Sequence, residues 1–447
     1  MNAFLSGIQV IGGPIPLVVV VFALLAAAGL IIRRAPRGRP RSRWAVTVLI
    51  ALLVGAAMGL LACWVVGDLM NAFDVQLSPT TRAWVAIACA GMALAMANLR
   101  AVRIRRRAGA VASIVLFALL GALGVNADFG QYTTVGSMLG TSAFAPLPAV
   151  DLALQRAAAG TDSTSEHQLW KTWVAPAGIA AHGIVGSVTI PASVSHFAAR
   201  DAVVYLPPAA LVSHPPALPV LVMMSGQPGS PENVFLAGHL DKLMDAMAAE
   251  HDGLAPIVVV PDQLSAPTVN PMCVDSAAGN SATYLTVDVP TWIRANLDVQ
   301  SAATGWGVGG FSQGGTCAIQ LGAGHPEIFG SIMDVSGELE PKAGSPAQTI
   351  ARGFGGDSAA YDRAKPLQIL TRESPYRDVV AIFAAGSLDS KYMPWIATVA
   401  AAAQVAGMQS TVLTSPGTAH DWSTVRYAFE HGMPTIYAQM GLSRPAS

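Results

Sequence analysis

The sequence contains little charge and few cysteines for its length. Only 12% of the 447 residues are charged, about half of the roughly 25% found in typical soluble domains. With 52% hydrophobic residues, this composition excludes a disordered chain, a coiled coil and a collagen-like fold. Four cysteines are too few for a small disulfide scaffold. Because no histidines cluster with them and no phosphate-binding or dinucleotide loop is present, we predict no metal and no cofactor.

The formal net charge of −1 conceals two regions of opposite charge. Residues 1–130 hold 12 basic and 3 acidic side chains, whereas residues 131–447 hold 14 basic and 24 acidic ones. The net charges are therefore +9 and −10, and we expect two parts of different character.

Long apolar stretches are confined to the first region. A transmembrane helix needs about 20 apolar residues, with a range of about 17–25. Four stretches meet this requirement, which predicts a membrane module over residues 1–126: Pro14–Ile32, Trp44–Val66, Ala83–Leu99 and Ala108–Val125. We see no ionisable residue inside these stretches, which favours an anchor over a transport path. Gly55 and Gly59 form a G-x-x-x-G spacing, which we attribute to chance because small residues are frequent here.

Arginines predict the orientation of this module. Eleven of them lie in the two loops that follow the first and third stretches: Arg33, Arg34, Arg37, Arg39, Arg41, Arg43, Arg100, Arg103, Arg105, Arg106 and Arg107. Short arginine-rich loops stay in the cytoplasm, so we predict a multi-pass cell-membrane protein whose later residues lie outside. No basic residue precedes the first stretch, which argues against a cleaved signal peptide. Arginines that flank apolar spans indicate topology rather than a nucleic-acid patch.

The remaining chain predicts a linker at 127–166, rich in Gly, Ser, Thr, Ala and Pro, and then one domain at 167–447. In this domain, segments with strand character alternate with segments of helical periodicity. The predicted strands are Ile184–Ile190, Ala202–Leu206, Pro219–Met224, Pro256–Val260, Gly305–Phe311, Ser331–Val335, Val379–Ala384 and Ser410–Leu413. The predicted helices are Val234–Glu250, Val289–Leu297, Gln313–Ala323, Met393–Ala406 and Ser423–Met440. This alternation predicts a mostly parallel sheet with helices on both faces.

The strongest chemical signal is a serine between a strand and a helix. Gly310-Phe311-Ser312-Gln313-Gly314 has the form G-x-S-x-G, after an apolar strand and before a helical segment. Such a turn exposes the serine hydroxyl, and its glycines are needed because a Cβ would collide with neighbouring backbone. We therefore predict that Ser312 is a nucleophile rather than a helix cap in a glycine turn.

A nucleophilic serine needs a histidine base that follows it in chain order. Three histidines do so. His325 is one helix after the serine and His431 lies within the last predicted helix. His420 occupies the loop between the last strand and that helix, where the carboxyl edge of the sheet is expected, so we predict His420 as the base.

The acid that orients the base is predicted to be Asp389. It follows the apolar strand that begins at Val379, and it lies between Ser312 and His420 in the chain, the order expected for this kind of hydrolase. Asp334 and Glu338 are the alternative acids. Asp389 could instead be a helix N-cap or a solvated loop residue.

The oxyanion of an acyl-transfer intermediate needs two preorganised N–H donors. One is predicted to be the backbone N–H of Gln313, directly after the serine. The second is assigned to the backbone N–H of Gln227, in the glycine-rich loop after an early strand.

The cysteines follow the predicted topology. Cys63 and Cys89 lie inside apolar stretches and are expected to be packing residues. Cys273 and Cys317 belong to the outer domain, where an oxidising compartment favours a disulfide between them.

Four motifs now stand in order along the chain: Gly226-Gln227-Pro228-Gly229, Gly310-Phe311-Ser312-Gln313-Gly314-Gly315, Gly386-Ser387-Leu388-Asp389 and His420-Asp421-Trp422. Together they resemble the esterase-D-type branch of the α/β-hydrolases, which includes the actinobacterial mycolyltransferases. The resemblance covers roughly residues 180–440. The layout with four spans resembles membrane-anchored esterases of actinobacteria, some of which hydrolyse aminoacyl-phosphatidylglycerol.

The resemblance implies a serine esterase with an α/β-hydrolase fold that acts on a lipid or cell-envelope ester. Acyl transfer of the mycolyltransferase type is the alternative within enzymes. Asp421 follows His420 where mycolyltransferases have a serine, which argues against transfer to a sugar. The alternative from another class is a catalytically silent module that binds the cell envelope.

Overall fold

The computed structural model describes residues 8–11, 13–32, 41–70, 77–99, 104–139, 143–148, 151–153, 155 and 168–444. Six arginines of the predicted orientation signal lie outside the described residues: Arg33, Arg34, Arg37, Arg39, Arg100 and Arg103. Residues 140–142, 149–150, 154 and 156–166 of the predicted linker also lie outside them.

Among the described residues, four helices are long and apolar enough to cross a membrane. They are α1 (Pro14–Ile31), α2 (Arg41–Cys63), α3 (Pro79–Asn98) and α4 (Ile104–Phe129), and a π-helical turn at Trp64–Leu69 continues α2. The four predicted apolar helices are confirmed. Their insertion into a membrane and their orientation stay predictions.

The G-x-x-x-G spacing in α2 lies at a helix–helix contact. A Cβ on Gly55 would be 2.7 Å from the Cα of Ala90, and one on Gly59 would be 3.0 Å from the Cα of Ala86. Both neighbours belong to α3, so the absence of side chains lets the two backbones approach closely. The attribution of this spacing to chance is therefore wrong.

The second compact unit contains an eight-stranded sheet. Its strands are arranged in the order β1-β2-β4-β3-β7-β8-β9-β10. Strands β1 and β2 are antiparallel to their neighbours, and the other six run parallel to one another. The strands are β1 (Ile184–Val188), β2 (Ala202–Leu206), β3 (Val220–Met224), β4 (Ile257–Val260), β7 (Trp306–Phe311), β8 (Ser331–Val335), β9 (Val380–Gly386) and β10 (Gln409–Ser415); β5 (Asp275–Ser276) and β6 (Gly279–Asn280) form a separate hairpin. This mostly parallel sheet confirms the predicted fold class.

Helices connect the strands and pack against them. Those of eight residues or more are α5 (Leu240–Glu250), α6 (Val289–Asn296), α7 (Gln313–Gly324), α8 (Pro346–Gly353), α9 (Pro366–Glu373), α10 (Tyr392–Val405) and α11 (Trp422–Gln439). Shorter helical turns are Val135–Met138, Leu169–Thr172, Pro208–Leu211, Asn233–Leu236, Ser281–Thr283, Tyr284–Asp288, Ala303–Gly305 and Ser358–Arg363. The single helix predicted for Val234–Glu250 is divided, because His239 has a φ of 55°, which interrupts the helical backbone.

The described part of the predicted linker is partly packed. Helix α4 continues to Phe129, beyond the predicted span. Leu147 donates its backbone N–H to Ser187 of β1 at 2.9 Å. The buried Gln155 donates its side-chain amide to Ala210 at 2.7 Å. The division at 1–126, 127–166 and 167–447 stays a prediction.

Candidate active site

Parallel strands bring three of the predicted site residues, Gln227, Ser312 and Asp389, toward one edge of the sheet. Gln227, Ser312 and Asp389 follow the carboxyl ends of β3, β7 and β9, and His420 follows β10. Since the carboxyl ends of parallel strands share an edge, this is where ligands bind in open α/β sheets.

Ser312 occupies a sharp turn between the last residue of β7 and the first residue of α7. Its φ of 56° and ψ of −116° lie in a region that residues with a Cβ rarely adopt. The backbone N–H of Ser312 donates to the carbonyl of Val335 in β8 at 2.8 Å. The fold therefore holds Ser312 in a strained conformation, which is common at functional sites.

Two glycines make this turn sterically possible. A Cβ on Gly310 would lie 2.9 Å from the Cα of Gly314, and a Cβ on Gly314 would lie 2.6 Å from the carbonyl oxygen of Met224 in β3. Such distances are too short for real Cβ atoms. Helix α7 therefore begins in direct contact with backbone, as the pattern predicted.

The predicted oxyanion loop passes beside Ser312. A Cβ on Gly226 would be 3.4 Å from the Cβ of Ser312, so the backbone just before Gln227 is adjacent to the serine. The Gln227 side chain donates to the carbonyl of Thr268 at 2.9 Å. Gln313 begins α7 directly after Ser312. Both predicted donor residues thus belong to segments that flank the serine.

Asp389 is 1% exposed and lies three residues after the end of β9. Its backbone N–H donates to Gly386 at 3.0 Å. One carboxylate oxygen accepts the backbone N–H of Tyr392 at 3.2 Å, at the start of α10. The N-cap residue of α10 is Lys391, which makes no side-chain cap, so Asp389 contacts the start of that helix without being its N-cap. The contact holds the carboxylate at the edge of the sheet.

His420 lies on a short connection that is held at both ends. On one side, the backbone N–H of Leu388 donates to the carbonyl of Thr418 at 2.9 Å. On the other side, the rings of Phe311 and Trp422 have centroids 5.3 Å apart. Leu388 directly precedes Asp389, and Phe311 directly precedes Ser312. His420 is two residues from each attachment and is buried.

The two alternative histidines lie elsewhere. His325 follows the far end of α7 and contacts Glu327 at 3.0 Å; a 12-residue helix separates it from Ser312 by about 18 Å at 1.5 Å per residue. His431 lies within α11, where its ring stacks on Tyr427 with centroids 3.9 Å apart.

The alternative acids have structural contacts near α7. Asp334 is fully buried in β8 and accepts the backbone N–H of Gly337 at 2.9 Å. Burial raises the pKa of Asp334 to about 7, because desolvation penalises the carboxylate. The backbone N–H of Glu338 donates to the hydroxyl of Thr316 at 2.9 Å.

A disulfide attaches a loop to the helix that begins after Ser312. Cys273 and Cys317 are bonded, with their Cα atoms 5.5 Å apart. The Gln313 side chain donates to Asn270 at 3.1 Å and approaches the sulfur of Cys317 at 3.2 Å. The loop at 270–273 is therefore held against the first turns of α7. Nowhere in the described ranges do three or more His, Cys, Asp or Glu form a metal-binding group.

Sequence reasoning missed the polar pair that follows β4. The Asp262 carboxylate accepts two hydrogen bonds from the Arg200 guanidinium, at 2.9 and 2.8 Å. Arg200 also donates to the carbonyl of Gly229 at 3.0 Å. The next residue, Gln263, is fully buried and contacts Ser225 and Gln313. Polar residues directly after a buried strand, at the same edge as Ser312, were the signal that could have identified them.

The chain is similar to several known proteins. Residues 198–438, which include all four motifs, match the family described as "Putative esterase". An uncharacterized protein of Corynebacterium glutamicum is 32% identical over 411 residues, which are 90% of this chain and 92% of that protein. A diacylglycerol acyltransferase/mycolyltransferase of Mycolicibacterium smegmatis is 44% identical over 62 residues, 14% of this chain and 18% of that protein. The solved structure of an S-formylglutathione hydrolase from Agrobacterium tumefaciens has 19% identity and a TM-score of 0.48, covering 58% of this chain and 97% of that one.

Proposed function

Because the chain belongs to the esterase family of the α/β-hydrolases, we propose that it is a membrane-anchored serine esterase that uses Ser312, His420 and Asp389. Membership makes the chain an ester-hydrolysing serine hydrolase. The residue roles, the substrate and the membrane anchoring form the proposal.

In the proposed reaction, the Ser312 hydroxyl attacks the ester carbonyl while His420 accepts its proton. Asp389 orients the imidazole and stabilises its charged form. The oxyanion accepts hydrogen bonds from the backbone N–H groups of Gln313 and Gln227. Collapse of this intermediate breaks the ester C–O bond, and His420 protonates the departing alcohol. Water then attacks the acyl-enzyme by the same route and releases the acid.

The observation that carries this proposal is the backbone of Ser312. A serine with a φ of 56° between a buried strand and a helix has a conformational cost of about 1–3 kcal/mol. A glycine cap would avoid this cost. The retained serine is explained if its hydroxyl must project from the edge of the sheet.

We propose a lipid or cell-envelope ester as the substrate. Four apolar helices in the same chain would hold the site at a membrane, where such esters have a high effective concentration. Residues 131–447 have a net charge of −10, which favours a cationic or zwitterionic substrate. Aminoacyl-phosphatidylglycerol, whose aminoacyl group carries a free amine, is the specific substrate we propose.

Covalent labelling tests the nucleophile. A fluorophosphonate probe should label the full-length wild type in detergent and should not label Ser312→Ala. The matched control is Ser336→Ala, since Ser336 follows the neighbouring strand and also has a positive φ, of 52°. Labelling that persists in Ser312→Ala would contradict the assignment. Folded wild type that is never labelled would favour a silent binding module.

Lipid analysis tests the substrate. A strain that lacks the protein and a strain with Ser312→Ala should accumulate the same aminoacyl lipid, and purified wild type should release the amino acid from it. The local match to a mycolyltransferase makes acyl transfer the second candidate. Transfer predicts an acylated alcohol as the product when an acceptor alcohol is added, whereas hydrolysis predicts the free acid.

Cysteine labelling in intact cells tests the topology. A cysteine introduced at Ser163, in the predicted linker, should react with a membrane-impermeant maleimide. A cysteine introduced at Pro36, in the first arginine-rich loop, should react only after the cells are permeabilised. The opposite pattern would refute the extracytoplasmic assignment.

A further inference from the structure

A single buried glutamine connects the two segments that carry the proposed oxyanion donors. Gln263 is the third residue after β4 and is 0% exposed. Its side-chain amide donates to the carbonyl of Ser225 at 2.6 Å and to the side-chain oxygen of Gln313 at 3.1 Å. Ser225 lies two residues before Gln227, and Gln313 directly follows Ser312.

These hydrogen bonds determine how the amide is oriented. In the reverse orientation, the Gln263 oxygen would face the Ser225 carbonyl oxygen, and two acceptors at 2.6 Å would repel each other. In the observed orientation that amide oxygen is buried and has no hydrogen-bond partner among the described residues. Burial of an acceptor without a hydrogen-bond partner is unfavourable. The two donated hydrogen bonds, and not the amide oxygen, therefore account for an amide at this position.

The segment around Gln263 also supports the same loop at other points. The backbone N–H of Gly229 donates to Pro267 at 3.1 Å, and the Gln227 side chain donates to Thr268 at 2.9 Å. Arg200, which is paired with Asp262, donates to Gly229 at 3.0 Å. Because these contacts hold the loop to residues 262–268, a small displacement at Gln263 would be transmitted to the Gln227 backbone.

We infer that Gln263 is a positioning residue that sets the distance between the Gln227 and Gln313 N–H groups, so that both donors reach one oxyanion. This inference rests on the proposed function. In the proposed reaction Gln263 acts through Ser225 and Gln313, to which it donates its hydrogen bonds. The charge on the oxygen is greatest in the transition state. Misplaced donors therefore weaken stabilisation of the transition state more than they weaken binding of the neutral ester.

The test uses Gln263→Met, which keeps a long unbranched side chain and removes the amide. With full-length enzyme in detergent and p-nitrophenyl acetate as the ester, kcat should fall by about 10- to 100-fold, below the 10²–10³-fold cost of deleting a donor outright. KM should change by less than about twofold. Affinity for a trifluoromethyl ketone, which forms a tetrahedral adduct with the serine, should fall by the same factor as kcat/KM.

Gln155→Met is the matched control. Gln155 is also fully buried, and its amide connects two backbone groups, the carbonyl of Ala210 and the N–H of Asp298. Asp298 bonds to Leu218 before the amino end of β3, so this glutamine lies at the opposite edge of the sheet. It should change thermal stability without a selective loss of kcat or of ketone affinity.

The inference is overturned if Gln263→Met changes kcat and ketone affinity no more than Gln155→Met does, or if KM accounts for the loss. Gln263→Asn keeps the amide but is one methylene shorter, so it should give a smaller loss of the same kind. If Gln263→Met does not fold, Gln263→Asn is judged by the same comparison. Wild type that neither reacts with fluorophosphonate nor hydrolyses the ester would instead refute the proposed function.

Discussion

Replacement of Ser312 by glycine should give a more stable protein than replacement by alanine, and both replacements should abolish ester hydrolysis. The φ of 56° and ψ of −116° at this position are unfavourable for any residue with a Cβ and accessible to glycine. Ser312→Ala keeps the Cβ and therefore keeps the strain. Both variants lose the hydroxyl and its contacts, so the difference between them isolates the backbone conformation.

The size of this difference follows from two opposing effects. Relief of a strained conformation contributes about 1–3 kcal/mol, and the larger backbone entropy of glycine in the unfolded chain costs about 0.5–1 kcal/mol. Ser312→Gly should therefore be more stable than Ser312→Ala by about 1 kcal/mol. For a domain of this size, that corresponds to roughly 2–4 °C in Tm.

The measurement is thermal unfolding of the two full-length variants in the same detergent, with fluorophosphonate labelling to verify that both are inactive. Ser331 provides a control of opposite sign, because it lies within strand β8, where glycine is unfavourable. Ser331→Gly should be less stable than Ser331→Ala. If Ser312→Gly is equal to or less stable than Ser312→Ala, the argument from strain is refuted.

Three further perturbations follow from the described contacts. Gly314→Ala places a Cβ 2.6 Å from a β3 carbonyl and should lower kcat/KM by at least about 100-fold; Gly324→Ala, whose Cβ would meet only a methyl group at 3.8 Å, should remain active. Asp334 has a pKa of about 7 when folded, against 3.8 as its ordinary value, so the contribution of Asp334 to wild-type stability should fall as the pH rises from about 4 through about 7. Asp334→Asn does not titrate, so its stability relative to wild type should rise across that window by on the order of 4 kcal/mol; chemical denaturation at several pH values measures this, and parallel pH profiles would contradict it. The double substitution Cys273→Ser with Cys317→Ser removes a cross-link between residues that are 44 positions apart, and it should lower the free energy of unfolding by about 4 kcal/mol. A reductant should then destabilise the wild type but not the double variant. Equal sensitivity of wild type and variant to a reductant would argue against a bond between these cysteines.

Local patterns predicted most elements of the sheet domain. The predicted boundaries of β2 and β8 agree with the structure at both ends. Strand β2 shows why, because it is a fully buried and continuous apolar run. Helices α8 and α9 were not predicted; each has eight residues, and an amphipathic pattern of that length is weak evidence for a helix. The Ser345 capping box of α8 was the local signal that could have identified that helix.

Contacts between distant segments were not accessible to the same reasoning. Gln263 and Gln313 are 50 residues apart in the chain, and no periodicity relates them. The glycine spacing at Gly55 is a second example, because composition alone could account for it and only the contact between the backbones of α2 and α3 shows its role. Such pairs are defined by how elements pack, which local propensity does not encode.

The sequence by itself determined that an apolar module precedes an α/β domain and that a serine stands in a strand–turn–helix motif. These features follow from steric and hydrophobic rules that act over a few neighbouring residues. Only the tertiary structure decided what surrounds that serine. The order of the strands places the loop after β3 beside the sharp turn between β7 and α7. The segment after β4 makes hydrogen bonds to that loop and to the start of α7. The proposed oxyanion site depends on that arrangement, because its donors come from loops 86 residues apart in the chain and are held together by a buried amide from a third.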